Sequence, residues 1–344
     1  MKLISLFSGI GGLDIGVRSA FSHAANIPLQ HALLCEKDSF CRSVLDRHFP
    51  GVKIHWDVTK LSTKTAEIKA GCDVVTMGFP CQDASIIQRN PKGLKGHRTG
   101  LFHDGWRVAM EANAKIIIME NVSAFSNRGA KEVKRIANAA EYEFESMVVS
   151  AAHFGAPHLR KRWMGIAWRD TDLIQSGWSS QEPIGLTSPD LPTYSGKTFW
   201  PTLRAGKPNG GSVDRFIRAK GQGKVSTPHA ETALRLAHRE KYGNDTDVLK
   251  MSIEWAERLM GFPKFYTRID GHHVDPNPHV CAWGSDWIES QDHILSAFRR
   301  YQPSKRLKAL GNAVVPAWAY FMVSHVLRFE SKRNQLDLFG EVSP

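Results

Sequence analysis

The first half of the chain is a succession of short apolar runs set between amphipathic stretches. "LISLF", "HALLCE", "DVVTM", "KIIIME", "ESMVVSAA" and "RWMGIAW" are rich in β-branched and aliphatic residues and too short for helices. Between them, "GLDIGVRSAF", "DSFCRSVLDRHF" and "KEVKRIANAAE" carry apolar residues at helical spacing. Strands that alternate with helices are joined by crossovers, so the chain is expected to build an α/β fold on a mainly parallel sheet. Ligands of such sheets sit at the carboxyl ends of the strands. The residues that follow each apolar run are therefore the candidates for function.

From about residue 171 to 250 the periodicity is poor and Gly, Pro, Ser and Thr are frequent, which predicts a second, less regular unit. "SIEWAERLMGF" then has helical spacing with Ser252 as its N-cap, and "PAWAYFMVSHVLRF" predicts a late helix packed back on the first unit. The expected division is 1–172, 173–303, a returning segment 304–330 and a flexible tail 331–344.

The 344 residues include 45 Lys and Arg against 34 Asp and Glu, a formal charge of +11, which suits a polyanionic partner as well as it suits a merely basic protein. The excess is local. Lys197 to Lys241 holds ten basic residues and three acids, and Arg89, Lys92, Lys95 and Arg98 follow one another with no acid between. No start resembles a signal peptide and no apolar run is long enough to span a membrane, so a cytoplasmic, nucleoid-associated protein is expected. The five cysteines form no CxxC pair and fit reduced thiols. His272, His273, His279 and Cys281 match no common zinc spacing; a polar loop is the default there, with zinc the alternative.

The strand exits carry distinctive residues. After the first run, Phe7, Ser8, Gly9, Gly11 and Gly12 make a Gly-rich turn into a helix, without the GxGxxG spacing of dinucleotide sites. Glu36 ends the second run, where an acid commonly takes ribose hydroxyls, and Asp57 follows a third short segment. Taken in series they outline an adenosine pocket; taken singly they are helix caps or surface acids. Cys81 follows Gly-Phe-Pro at the exit of "DVVTM", beside the basic stretch that favours a thiolate. Glu120 ends "KIIIME", and Arg160 and Arg162 precede the last run. A nucleophile, a carboxyl group and two guanidinium groups could converge on one cleft.

These blocks, "LFSGIGGLDIG", "CEKD", "WDVT", "GFPCQDAS", "RTGLF", "ENV", "RKR", "EWAERLMGFP" and "LKALGNAVVP", resemble in kind and order those of the DNA (cytosine-5)-methyltransferase family of bacterial or phage type. The resemblance implies a Rossmann-like methyltransferase fold with a smaller, irregular target-recognition domain, and S-adenosyl-L-methionine as cofactor. It carries Phe7 onto adenine stacking, Glu36 onto the ribose and Asp57 onto the adenine amino group. Ser8, Gly9, Gly11, Val58, Pro80, Asn312 and Val314 would complete the cofactor pocket. It makes Cys81 the nucleophile that adds to C6 of a flipped cytosine, Glu120 the group on the N3/N4 edge and Arg162 the group holding O2. Arg160 would support that carboxylate or a phosphate. Gln82, Ser85 and Arg98 would meet double-stranded DNA. No metal is implied, and a monomer is expected. His158 stands where the family usually has glutamine, so the loop may be held differently or respond to pH.

The end of the chain, "QLDLF", resembles a short peptide that binds the bacterial sliding clamp, with Gln335, Leu336, Leu338 and Phe339 as contacts; a tail docked on its own domain is the other reading. Two further readings stay open at this level: an RNA methyltransferase of the same family, and a DNA-binding protein that kept the fold without catalysis.

Overall fold

A computed structural model describes residues 1–80, 101–154, 156–180, 202–203, 213–222, 230–243, 250–270, 295–296 and 303–327. Its centre is a seven-stranded sheet of β1 (Lys2–Leu6), β2 (Gln30–Cys35), β3 (Lys53–His55), β4 (Val74–Met77), β5 (Ile116–Val122), β6 (Glu143–Ser150) and β7 (Lys161–Trp168). The strand order is β3-β2-β1-β4-β5-β7-β6. β1 to β5 pair in parallel, while β7 runs antiparallel to both β5 and β6. The reversal follows from the chain between β6 and β7, which has no room for a crossover helix and so returns as a hairpin.

Both faces of the parallel strands are covered, which is why they read as continuous apolar runs. The two-residue period sends Leu3, Leu34, Val74, Ile116 and Ile118 into one core. Their neighbours Ile4, Leu33, Val75, Ile117 and Met119 enter the other. The first core is roofed by α1 (Gly12–Ala24), α2 (Ser39–His48) and, much later in sequence, α11 (Pro316–Val326). The second lies under α3 (Ala66–Lys69), α4 (Leu101–Glu111) and α6 (Ala130–Ala139), with the short α5 (Phe125–Arg128) at its edge.

α11 is buried on almost every side, so its helical wheel shows no polar stripe. It can lie so close to α1 because α1 offers glycines: a Cβ on Gly16 would stand 2.4 Å from the Pro316 carbonyl oxygen and 2.5 Å from Ala319 Cβ. Ser252 caps α9 (Ile253–Leu259) as expected, accepting from Trp255 N at 3.3 Å. α10 (Pro303–Asn312) leads directly into α11.

In the stretch expected to be irregular, the chain forms two helices, α7 (Val213–Gly221) and α8 (Ala230–Tyr242), and Lys250–Met251 pairs with Leu295–Ser296 as strands β8 and β9. α8 has an apolar side bearing Ala230 and Leu234, and a buried Glu231–Arg235 pair at 3.1 Å. Its short apolar spacing, diluted by charge, hid it. Residues 253–270, expected within the 173–303 unit, pack into the first core beside α1 and α2. Residues 174–175 bond to the end of α11, through the Ile174–Leu327 bridge and Gln175 N to Val326 O at 3.1 Å. Among the described residues, no helix is long and apolar enough to cross a membrane.

Candidate active site

The exits of β1, β4 and β5 and the turn between α10 and α11 enclose a solvent-open cleft of about 360 Å³. Phe7, Ser8, Gly9, Asp14, Gly78 and Glu120 line it from the sheet side, and Asn312 and Val314 from the returning segment.

The turn after β1 is bent into the left-handed region at Phe7 (φ 57°), Gly9 (φ 57°) and Gly11 (φ 85°). The two glycines serve different ends. A Cβ on Gly9 would meet nothing within 4 Å, so the bare backbone faces the cleft. A Cβ on Gly11 would lie 2.8 Å from the Phe49 ring, and Gly11 lies outside the cleft lining. Gly11 thus lets α1 approach α2 closely. A Cβ on Gly12 would stand 2.1 Å from Val314 O, which shows how tightly the returning segment closes the cleft.

Glu36 accepts from Gly9 N at 2.8 Å and from Asp38 N at 2.7 Å, and burial pushes its carboxyl above the usual range. The next strand tip is tied in by Glu36 N to His55 O at 2.9 Å. Asp57 caps the turn Val58–Lys60 by accepting from Thr59 N at 3.0 Å, and Val58 is buried beneath it. The exits of β1, β2 and β3 thus lie side by side along one rim, with Glu36 and Asp57 on the outer two.

Glu120, 8% exposed, meets Arg162 across the antiparallel β5–β7 pair, with Arg162 Nε 2.8 Å from Oε1. Burial raises its pKa, while Arg162 and then Arg160 oppose the rise. Holding a proton is therefore easier for this carboxyl group than for an exposed one. Its neighbour Asn121 donates to Phe79 O at 3.3 Å, tying the exit of β5 to the Gly-Phe-Pro turn that precedes Cys81. Nothing local in "ENV" marks Asn121 for this contact; the sheet order, which sets β5 beside β4, brings it about.

Arg160 acts on Glu120 through space and has backbone partners besides. Its guanidinium donates to Leu203 O at 3.3 Å, Gly311 O at 3.0 Å and Ala313 O at 2.7 Å. It clasps the returning segment and reaches Glu120 through space. His158, fully buried, donates from Nε2 to Leu259 O at 2.9 Å, and burial, aided by Arg160, lowers its pKa to about 3. It stays neutral in the physiological range and links the β6–β7 hairpin to the end of α9.

Pro80 is the last described residue before Cys81. Cys81, Gln82, Ser85 and Arg98 lie outside the described residues, as do His272, His273, His279 and Cys281, and Gln335, Leu336, Leu338 and Phe339.

A model of the family described as C-5 cytosine-specific DNA methylase matches residues 1–198 of this chain. The chain belongs to that family. It is a DNA (cytosine-5-)-methyltransferase.

Similar proteins include the type II methyltransferase M.NgoFVII of Neisseria gonorrhoeae, 30% identical over 98% of this chain and 89% of its own length. The type II methyltransferase M2.BsuMI of Bacillus subtilis (strain 168) is 30% identical over 78% of this chain and 67% of its own length. In fold, the methyltransferase resembles the Dnmt2 methyltransferase of S. pombe, with a TM-score of 0.54 at 17% identity over 94% of this chain and 97% of that one. Its sheet, with an antiparallel β7 inserted between β5 and β6, is that of the Rossmann-like methyltransferases.

The methyltransferase also uses residues that the motifs did not assign. Tyr266, in the "GFPKFYT" stretch, donates its hydroxyl to Ile10 O at 2.7 Å and stacks on His48 with ring centroids 3.9 Å apart. It pins the glycine turn from outside. A tyrosine after a helix carries no local signal of such a long-range partner.

Proposed function

We propose that the cleft binds S-adenosyl-L-methionine and that Cys81 is the nucleophile toward a cytosine flipped out of double-stranded DNA. The observation that supports it most is the Glu120–Arg162 pair, buried at the cleft and joined through Asn121 to the turn that delivers Cys81.

The residues fit the donor. Gly9 leaves open space over its backbone, Glu36 presents a carboxylate beside it, and Asn312 and Val314 close the opposite side. Phe7, Ser8, Asp57, Val58 and Pro80 would complete the contacts. When bound, the donor supplies a methyl group on a sulfonium centre.

Cytosine C5 is a weak nucleophile until sulfur adds at C6. Cys81 would form that bond and make C5 enamine-like. Glu120 would hold a proton at N3 as charge develops there, which a raised pKa favours, and Arg162 would orient Glu120 and hold O2. Arg160 would keep the donor wall in place. After transfer, loss of the C5 proton to a base expels the thiolate. Gln82, Ser85 and Arg98 would contact the opened duplex, and the basic residues of 197–241 the phosphates.

On the same reading the enzyme acts as a monomeric cytoplasmic protein that methylates one short DNA sequence, in restriction-modification or epigenetic marking. The tail would carry it to the sliding clamp. Clamp pull-down with residues 335–339 deleted checks the last point: undiminished retention refutes it.

DNA containing 5-fluorocytosine tests the chemistry. The wild-type enzyme with donor should form a covalent adduct stable to denaturation, and Cys81→Ser should form none. An adduct that survives in Cys81→Ser would overturn the assignment. Bisulfite sequencing of DNA from cells expressing the protein would read the target sequence.

A further inference from the structure

Asp14 takes no part in the scheme above. Its carboxylate, 1% exposed, lies in the first turn of α1, under the wall of the cleft. Thr76 donates to Oδ1 at 2.6 Å and Ser5 donates to Oδ2 at 2.8 Å. Ser5 has one hydroxyl proton and gives it to Asp14. The 2.7 Å contact between the Ser5 and Ser8 hydroxyls must then be donated by Ser8. The protons of this chain all point inward, from Ser8 to Ser5 to Asp14. The Ser8 oxygen, at the cleft, also accepts from Cys35 N at 3.3 Å and carries part of the carboxylate's potential to the cleft wall.

Burial is the largest influence on Asp14 and raises its pKa to about 6, so it is ionised at the pH of the cell. Among the described residues, the opposing charge that acts on it is that of Arg18, one turn along α1 and exposed, through space. A buried carboxylate held by hydroxyls and backbone, with no cation in contact among the described residues, is costly. It gains most from a cation placed in the cleft beside it.

The donor and its product differ there. S-adenosyl-L-methionine carries a sulfonium, an ammonium and a carboxylate, for one net positive charge. The thioether left after methyl transfer, S-adenosyl-L-homocysteine, has no net charge.

We propose that Asp14, acting through Ser5 and Ser8, biases the cleft toward the charged methyl donor and against the neutral product. The inference rests on the reading of the cleft as the donor site. It makes Asp14 a specificity-determining residue that favours exchange of spent product for fresh donor.

Calorimetric titration of the full-length protein with S-adenosyl-L-methionine, S-adenosyl-L-homocysteine and sinefungin, which has an amine in place of the sulfonium, tests this. In Asp14→Asn, Kd for the donor and for sinefungin should rise about tenfold or more, and Kd for the thioether by less than about threefold. An equal loss for all three ligands, as a purely structural role requires, would overturn the inference, as would no change for any. Ser8→Ala should show a smaller loss with the same selectivity, and it decides the matter if Asp14→Asn does not fold. If the wild-type protein bound none of the three, the donor site itself would fall, and the inference with it.

Discussion

The Glu257 carboxylate and the Arg306 guanidinium, 49 positions apart in sequence, form a 2.9 Å ion pair with both side chains almost wholly buried. Glu257 also accepts from Thr267 N at 2.8 Å and Phe265 N at 2.6 Å, and Arg306 Nε donates to Thr267 Oγ1 at 2.7 Å. The pair joins "EWAERLMGFP" to "RLKALGNAVVP", two blocks that touch only in the folded chain.

Removing one partner strands the other in the interior. Glu257→Ala is expected to cost about 3–5 kcal/mol of stability, read from the urea midpoint, because Arg306 keeps its buried charge and is left with only the half-buried Glu254, 3.6 Å away, as counter-charge among the described residues. Replacing both with apolar residues should cost clearly less than Glu257→Ala alone. If the double variant is no more stable than the single, the interpretation fails.

The two arginines of "RKR" should separate in kinetics. Arg162→Ala removes the partner of Glu120 and is expected to lower the rate of methyl transfer by about 10²–10³-fold. Donor affinity should stay within about twofold. Arg160→Ala instead frees the segment at 311–313, so donor Kd should rise about tenfold and stability fall by about 2–4 kcal/mol. Single-turnover assays and calorimetry distinguish the two. Matching effects in both variants would contradict the division of labour.

His158 has a pKa of about 3 in the fold against 6.5 in the open chain. A depressed value means that the unfolded chain binds the proton first. The stability it contributes is complete above about pH 6.5 and declines as pH falls toward 3. The melting temperature of the wild type should therefore drop more steeply from pH 7 to pH 5 than that of His158→Gln. Parallel curves would show that this ring is not the titrating group.

Asp14 has the opposite sign. Its pKa rises from 3.8 to about 6 on folding, so its contribution is complete below about pH 4 and is lost as pH climbs through 6. Above that, the ionised carboxylate costs roughly 2–3 kcal/mol. Asp14→Asn should accordingly be more stable than wild type at pH 8, with the gap closing toward pH 4.5. Denaturant titrations at the two values check it; a less stable variant at pH 8 would refute the expectation.

Gly16 lies face to face with α11. Gly16→Ala should destabilise by about 1–3 kcal/mol or more despite the better helix former, because the methyl group meets backbone. An increase in melting temperature would show that the two helices can separate freely.

The parallel strands were legible because burial on both sides makes them apolar throughout, and Ser252 announced α9 through its cap. The positions of Glu36, Asp57 and Glu120 at strand ends were legible because each ends or follows a short apolar run. What stayed hidden depends on partners distant in sequence. Arg160 stands beside Arg162 in sequence, but its guanidinium is held by the carbonyls of Leu203, Gly311 and Ala313, partners that the local sequence does not show. Asp14 reads as an ordinary first-turn acid until Ser5 and Thr76 close over it. Gly11 and Gly9 look alike in "SGIGG" and are told apart only by what stands next to each.

The cleft takes much of its floor from residues 5–14 and its closing wall from residues 312–314. Translation therefore makes that floor some three hundred residues before the wall that closes it. A nascent chain that stalls before α10 lacks that wall. Methylating power would then arrive late in translation, and truncated products would not mark the genome.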